Sequence, residues 1–243
     1  MRAVLFSVVL LLAGCQEVQP DPGPDPTEAA PPSATATPES ATTPDAPLAD
    51  ADSNTVTLLF FGDSLTAGYG LSDPKLAYPA LVGAELEAAG VPVHVVNAGI
   101  SGDTSAGGLG RIAWTLRQSP PDVFVLALGA NDGLRGTDPA ATQDNLSAIL
   151  DAVEEAAPDA RLVVAGMEAL PNMGGDYVSR FRAVFPAVAE AHDAAFIPFL
   201  LEGVAGVERL NQGDGVHPTA EGQRRLAATV AEVVVPMAKR AAG

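Results

Sequence analysis

Cysteine occurs once in the 243 residues, at Cys15, so no disulfide can form within the chain. Basic residues are scarce: 13 Lys and Arg stand against 30 Asp and Glu, a formal charge of −17 that repels phosphate backbones and anionic bilayer surfaces. Nucleic acid is therefore excluded as an expected partner. No apolar run is long enough to span a bilayer, which takes about 20 residues as a helix; the longest, Ala3 to Ala13, is eleven. There is no internal repeat, and no room for a second full domain beside the single core that 47% apolar residues can build.

What the N-terminal end does contain is organised. Arg2 supplies a positive start, the apolar run follows, and Leu12-Ala13-Gly14-Cys15 resembles the lipobox of bacterial lipoproteins, where cleavage before the Cys leaves it as an acylated N-terminus. An ordinary secretory signal with a chance Cys is the alternative. Residues 16–54 are Pro, Ala, Thr, Ser and Asp, with Val18 and Leu48 as their only large apolar side chains and eight acids but no Lys or Arg. Such a composition cannot offset the entropy of ordering. The expectation is a signal peptide over 1–14, a lipidated Cys15 heading a tether over 15–54, and a catalytic domain over 55–243, exported and held to the bacterial cell envelope by its lipid. Residues 16–54, 39 in number, would reach roughly 31 to 37 Å as a flexible coil and up to about 120 Å if the prolines hold them in extended polyproline form.

From Thr55 the texture changes to short β-branched apolar runs alternating with longer Ala-rich amphipathic stretches. Strands are expected at Thr55–Phe61, Val93–Asn97, Val123–Leu128, Leu162–Ala165 and Ala195–Pro198. Helices are expected at Ala77–Ala89, Ser105–Arg117, Pro139–Ala156, Tyr177–His192 and Thr219–Lys239, with Gly90 ending the first through a left-handed conformation. Regular strand–helix alternation implies an α/β fold with a parallel sheet covered on both faces. In such sheets ligands bind beyond the carboxyl ends of the strands.

The polar clusters fall at those ends. Gly62-Asp63-Ser64 follows the first strand, Gly99-Ile100-Ser101-Gly102-Asp103 the second and Gly129-Ala130-Asn131-Asp132 the third, while Gly213-Asp214-Gly215-Val216-His217 precedes the last helix. Taken alone, Ser64 reads as a cap or turn residue. Asp214 adds a carboxylate three residues before an imidazole, a spacing that lets it accept the Nδ1 proton and turn Nε2 toward a nucleophile; a cation-binding or capping Asp beside a surface His is the duller reading. Of the other two histidines, His94 lies in an expected strand and His192 near a helix end. Gly102 and Asn131 are candidate oxyanion donors, the one through a backbone amide that can approach a ligand closely, the other through its side-chain amide. Each is otherwise a turn residue.

Together, Gly62-Asp63-Ser64-Leu65, Gly102, Gly129-Ala130-Asn131-Asp132 and Asp214-Gly215-Val216-His217 resemble the four blocks of the GDSL, or SGNH, hydrolases, in order and spacing, from about Thr55 to the end of the chain. The strings from Asn97 to Ser105 and from Asn131 to Gly136 resemble the branch of bacterial arylesterases, lysophospholipases and multifunctional acyl thioesterases. That resemblance implies a three-layer, flavodoxin-like α/β/α fold with five parallel strands, a catalytic set of Ser64, His217 and Asp214, oxyanion donors from the Ser64 and Gly102 amides and the Asn131 side chain, and no metal or cofactor. Ala130 departs from it, close relatives often having a second Gly there, and the lipobox argues against cytoplasmic acyl-CoA as substrate.

The expected activity is hydrolysis of aryl or short-to-medium acyl esters, lysophospholipids or thioesters through an acyl-enzyme on Ser64. Carbohydrate O-deacetylation and a non-catalytic lipid-anchored binding protein are the competing readings. Asp63 and Asp132 are expected to be structural supports and Trp114 a core residue. Arg135 is expected to be a solvated or loop-pairing residue, with contact to an anionic head group as the alternative, and the stretch from Glu168 to Tyr177 is either a wall of an acyl pocket or a surface loop.

Overall fold

The computed structural model describes residues 55–243. Within them five strands, β1 (Val56–Gly62), β2 (Val93–Gly99), β3 (Val123–Ala127), β4 (Arg161–Ala165) and β5 (Ala195–Ile197), form one parallel sheet in the order β2-β1-β3-β4-β5. The helices are α1 (Ser64–Ala67), α2 (Tyr78–Ala88), α3 (Ser105–Gln118), α4 (Ala130–Arg135), α5 (Pro139–Ala156), α6 (Gly175–Ala191) and α7 (Ala220–Ala241). None of them is long and apolar enough to cross a membrane.

Three layers result. Helices α2 and α7 pack together on one face of the sheet, while α3, α5 and α6 cover the other. The interior strand β1 is nearly continuous apolar sequence because both of its faces are covered. Successive side chains alternate across it, so Phe60 meets Tyr78 of α2 edge-on at 5.7 Å while Phe61 turns to the α3 and α5 side, where Gly108 admits it closely. This is the expected three-layer, flavodoxin-like architecture with five parallel strands.

The order matters for function. From β1 the chain crosses to β2 on one side and then to β3 on the other, so the connections leave a crevice at the carboxyl ends of β1 and β3, the place where such sheets bind ligands. Thr104 and Thr219 cap α3 and α7 through their hydroxyls and Asp138 caps α5 with Pro139 at its first position, while Gly90 takes φ +78° after α2 as expected.

Three expectations are corrected. Ser64 and Asn131 lie in short helices, α1 and α4, rather than in turns: Asp63 caps α1 by accepting the Leu65 amide at 3.0 Å, and left-handed Gly68 and Gly136 end the two helices. Four and six residues are too few to show a helical period in the sequence. Trp114 is 61% exposed, because the buried positions of α3 are Ser105, Gly108, Ile112, Thr115 and Leu116 and residue 114 falls on the opposite face. The signal peptide, Cys15 and the tether lie outside the described residues.

Candidate active site

Helix α1 starts at the end of β1, which aims the first residue of the helix into the crevice. Ser64 Oγ lies 3.0 Å from His217 Nε2, and His217 Nδ1 lies 2.7 Å from Asp214 Oδ2. The other Asp214 oxygen accepts the backbone amides of Val216 and His217 at 2.9 and 3.0 Å, a turn that Gly215 permits with φ +71°. Asp214 therefore shapes the loop and grips the imidazole with one carboxylate. The His217 amide, then the His217 ring and the Val216 amide, hold its carboxyl well below the usual carboxylate range. With Asp214 ionised, Nδ1 keeps its proton and Nε2 is free to accept one from Ser64.

Two residues that the sequence did not single out fasten this arrangement. Gln212 donates from Nε2 to Tyr69 O at 2.7 Å and to Pro218 O at 3.0 Å, while its amide donates to His217 O at 2.7 Å, so the histidine loop is tied to the segment just after α1. Gln223 of α7 accepts the Tyr78 amide and donates to Leu65 O, holding α1 from below. Both contacts span more than a hundred residues, and no local pattern marks a Gln that will make them.

The β2 loop supplies the facing wall. Gly102 has φ +81° and its amide has no acceptor among the described residues; the same is true of the Ser64 amide, at the first helical position where no intrahelical partner exists. Asn131 donates one amide hydrogen to Asp103 O at 2.8 Å, which fixes its side chain and leaves the second hydrogen unused. Arg135 donates to Gly102 O at 3.0 Å, the loop pairing that was expected, and pins that peptide group. Arg111, also unmarked in the sequence, pairs with Asp103 at 2.7 Å, donates to Gly62 O at 3.0 Å and lies 3.9 Å over the Phe61 ring.

The two aspartates expected as supports behave differently. Asp132 is buried and fully used: it accepts the Ser105 amide at 2.9 Å and hydroxyl at 2.6 Å, and so joins α4 to the start of α3. Asp63 uses Oδ1 to cap α1, but its buried Oδ2 has no partner, and desolvation pushes the carboxyl up to about 7 despite the Leu65 amide and the His217 charge. The native protein thus holds a proton there that the unfolded chain, near 3.8, releases. By linkage, stability falls as pH rises between these values; this group alone removes about 3 kcal/mol between pH 5 and 8. Asp63→Asn, which keeps the capping oxygen, is expected to abolish that slope in urea unfolding at the two pH values; parallel pH dependence in both proteins would contradict it.

A concavity of about 460 Å³ beside the Asp214 turn is lined by Gly206, Glu208, Asn211, Gln212, Gly213 and Gly215, without Ser64 or His217. The serine instead faces the open crevice between the loops.

Fold and site together define an α/β serine hydrolase acting on ester bonds. Residues 60–225 match the GDSL-like Lipase/Acylhydrolase family, and the chain belongs to it. It is 42% identical to the esterase TesA of Pseudomonas aeruginosa over 181 residues, 74% of this chain and 89% of that one. With the thioesterase 1/protease 1/lysophospholipase L1 of Escherichia coli K12 it shares 38% identity over 74% of this chain and 84% of that one. Among solved structures, the psychrotrophic esterase EstA from Pseudoalteromonas, in a form inhibited by monoethylphosphonate, superposes with a TM-score of 0.70 at 31% identity, covering 74% of this chain and 97% of that one. The core residues of the described part form one continuous cluster.

Proposed function

We propose that Ser64 attacks the acyl carbonyl of carboxylic esters, including aryl esters, short-to-medium acyl esters and lysophospholipids, with thioesters as a related class. His217 takes the hydroxyl proton as the Ser64 Oγ–carbon bond forms and returns it to the departing alcohol, or thiol, as the acyl-enzyme is left behind. Water then enters, loses its proton to His217, and releases the acid while Ser64 regains its hydrogen. Asp214 orients the imidazole and stabilises its positive charge. The Ser64 and Gly102 amides and the spare hydrogen of Asn131 are the donors offered to the oxyanion. The observation that carries this reading is the linear relay Ser64 Oγ–His217 Nε2, His217 Nδ1–Asp214 Oδ2 at 3.0 and 2.7 Å.

A fluorophosphonate probe is expected to label the protein once, on the peptide containing Ser64; no label, or a label elsewhere, would overturn the assignment. A series of p-nitrophenyl esters then reads the acyl length: turnover of eight-carbon esters fits an esterase or lysophospholipase, whereas activity confined to acetyl esters would indicate a deacetylase.

The site of action proposed is outside the cytoplasm, with the domain held to the envelope through lipidated Cys15. The support is Leu12-Ala13-Gly14-Cys15 after a short apolar run. Cys15→Ser is expected to move the protein from the membrane to the soluble fraction; an unchanged distribution would show that lipidation is not the anchor.

A further inference from the structure

Six large apolar side chains are exposed among the described residues: Tyr69, Ile100, Trp114, Leu134, Leu170 and Val216, each between 42 and 61%. Apart from Trp114 they share a location. Tyr69 follows β1, Ile100 follows β2, Leu134 follows β3, Leu170 follows β4 and Val216 lies in the connection after β5, so each of the five loops at the carboxyl end of the sheet exposes one. Scattered exposed apolar residues need no explanation, but five gathered at the mouth of one site do.

The loops that hold them touch. The Tyr69 ring lies 4.5 Å from the His217 ring, next to Val216. Arg135 joins the helix of Leu134 to the loop of Ile100 through Gly102. Ala169, beside Leu170, packs against Gly133, beside Leu134, so closely that a Cβ on the glycine would lie 3.4 Å from the Ala169 Cα. The loops after β2, β1, β3 and β4 follow neighbouring strands at about 4.8 Å spacing, which sets the rim across roughly 14 Å.

We infer that this rim seats the mouth of the site on the surface of aggregated neutral or zwitterionic amphiphiles, so that the enzyme draws its ester from a micelle or bilayer. The inference rests on the ester-hydrolase reading and names how its substrate is presented. Two further observations favour a neutral lipid surface. Residues 55–243 have 22 acids against 12 bases, which disfavours an anionic one. The route of the chain also fits: β1 begins at the end of the sheet opposite the site, roughly 23 Å away for its seven residues. A short link from a membrane-held Cys15 would turn the rim away from the bilayer. The 39 residues 16–54 are a connection long enough to let it turn back.

The test uses the full chain carrying Cys15→Ser, wild type at the rim but without the proposed lipid. Wild type is expected to sediment with phosphatidylcholine vesicles, and its release of fatty acid from lysophosphatidylcholine should rise about fivefold or more as the substrate passes its critical micelle concentration. The double variant Leu134→Ser, Leu170→Ser is expected to lose at least about tenfold in vesicle binding, and to lose the rise, while hydrolysing p-nitrophenyl acetate within about twofold of wild type. Trp114→Ser, whose position nine residues along α3 is off the rim, should match wild type in all three. A wild type that stays in the supernatant, tighter binding to phosphatidylglycerol than to phosphatidylcholine, or a double variant that binds as wild type does would each overturn the inference. If no ester is turned over, the ester-hydrolase reading fails, and sedimentation still decides on the rim.

Discussion

Ser64→Ala is expected to lower kcat on p-nitrophenyl esters by about 10⁵- to 10⁶-fold, with KM nearly unchanged. The change removes only the atom that forms the acyl bond. The oxyanion donors and the acyl contacts remain, so a residual acceleration over water, about 10³- to 10⁴-fold, should persist. Stability is the necessary control. The Ser64 hydroxyl touches His217, whereas the cap of α1 belongs to Asp63, and alanine suits a first helical position. Unfolding in urea should therefore shift by less than about 1 kcal/mol. Wild-type-like turnover in a folded Ser64→Ala protein would end the nucleophile assignment.

Asp214→Asn carries the second largest effect, a fall in kcat of about 10⁴-fold. The asparagine oxygen can still accept the Val216 and His217 amides, so the turn should survive. Its NH₂ group, however, would face His217 Nδ1 and donate to it, moving the ring proton to Nε2. An imidazole in that tautomer cannot accept the serine proton. Asp214→Ala, which also removes the acceptor for two backbone amides, should unfold more easily than Asp214→Asn although both are inactive. The comparison separates the two tasks of one carboxylate: kcat with urea midpoints for the pair, expected to fall together in one variant and apart in the other. A loss below tenfold in Asp214→Asn would show that the carboxylate does not select the tautomer.

How far the sequence could be read depended on length scale. The five strands and five long helices were legible because burial imposes a period, and their observed bounds differ from the expected ones by a residue or two. Helices α1 and α4 were not legible as helices. They are made by caps and by left-handed glycines at their ends, and those same residues read as turns. Trp114 shows the converse error. Its apolar neighbours Ile112 and Leu116 suggested a core position, yet the spacing of Gly108, Ile112, Thr115 and Leu116 already defines a face that residue 114 does not share.

The sequence by itself determined which chemical groups the site would have and that they would gather at one end of a parallel sheet, because strand–helix alternation places every following loop there. Tertiary structure alone brought Ser64 to 3.0 Å from His217 across 153 positions, a meeting set by the sheet order β2-β1-β3 and the packing of α7 against it. It also decided that Gln212 and Arg111 tie the walls together, that one oxygen of Asp63 is left without a partner, and that five apolar side chains ring the opening. Periodicity records which face of an element is buried. The distance between two elements depends on every side chain packed between them, and no stretch of sequence contains that sum.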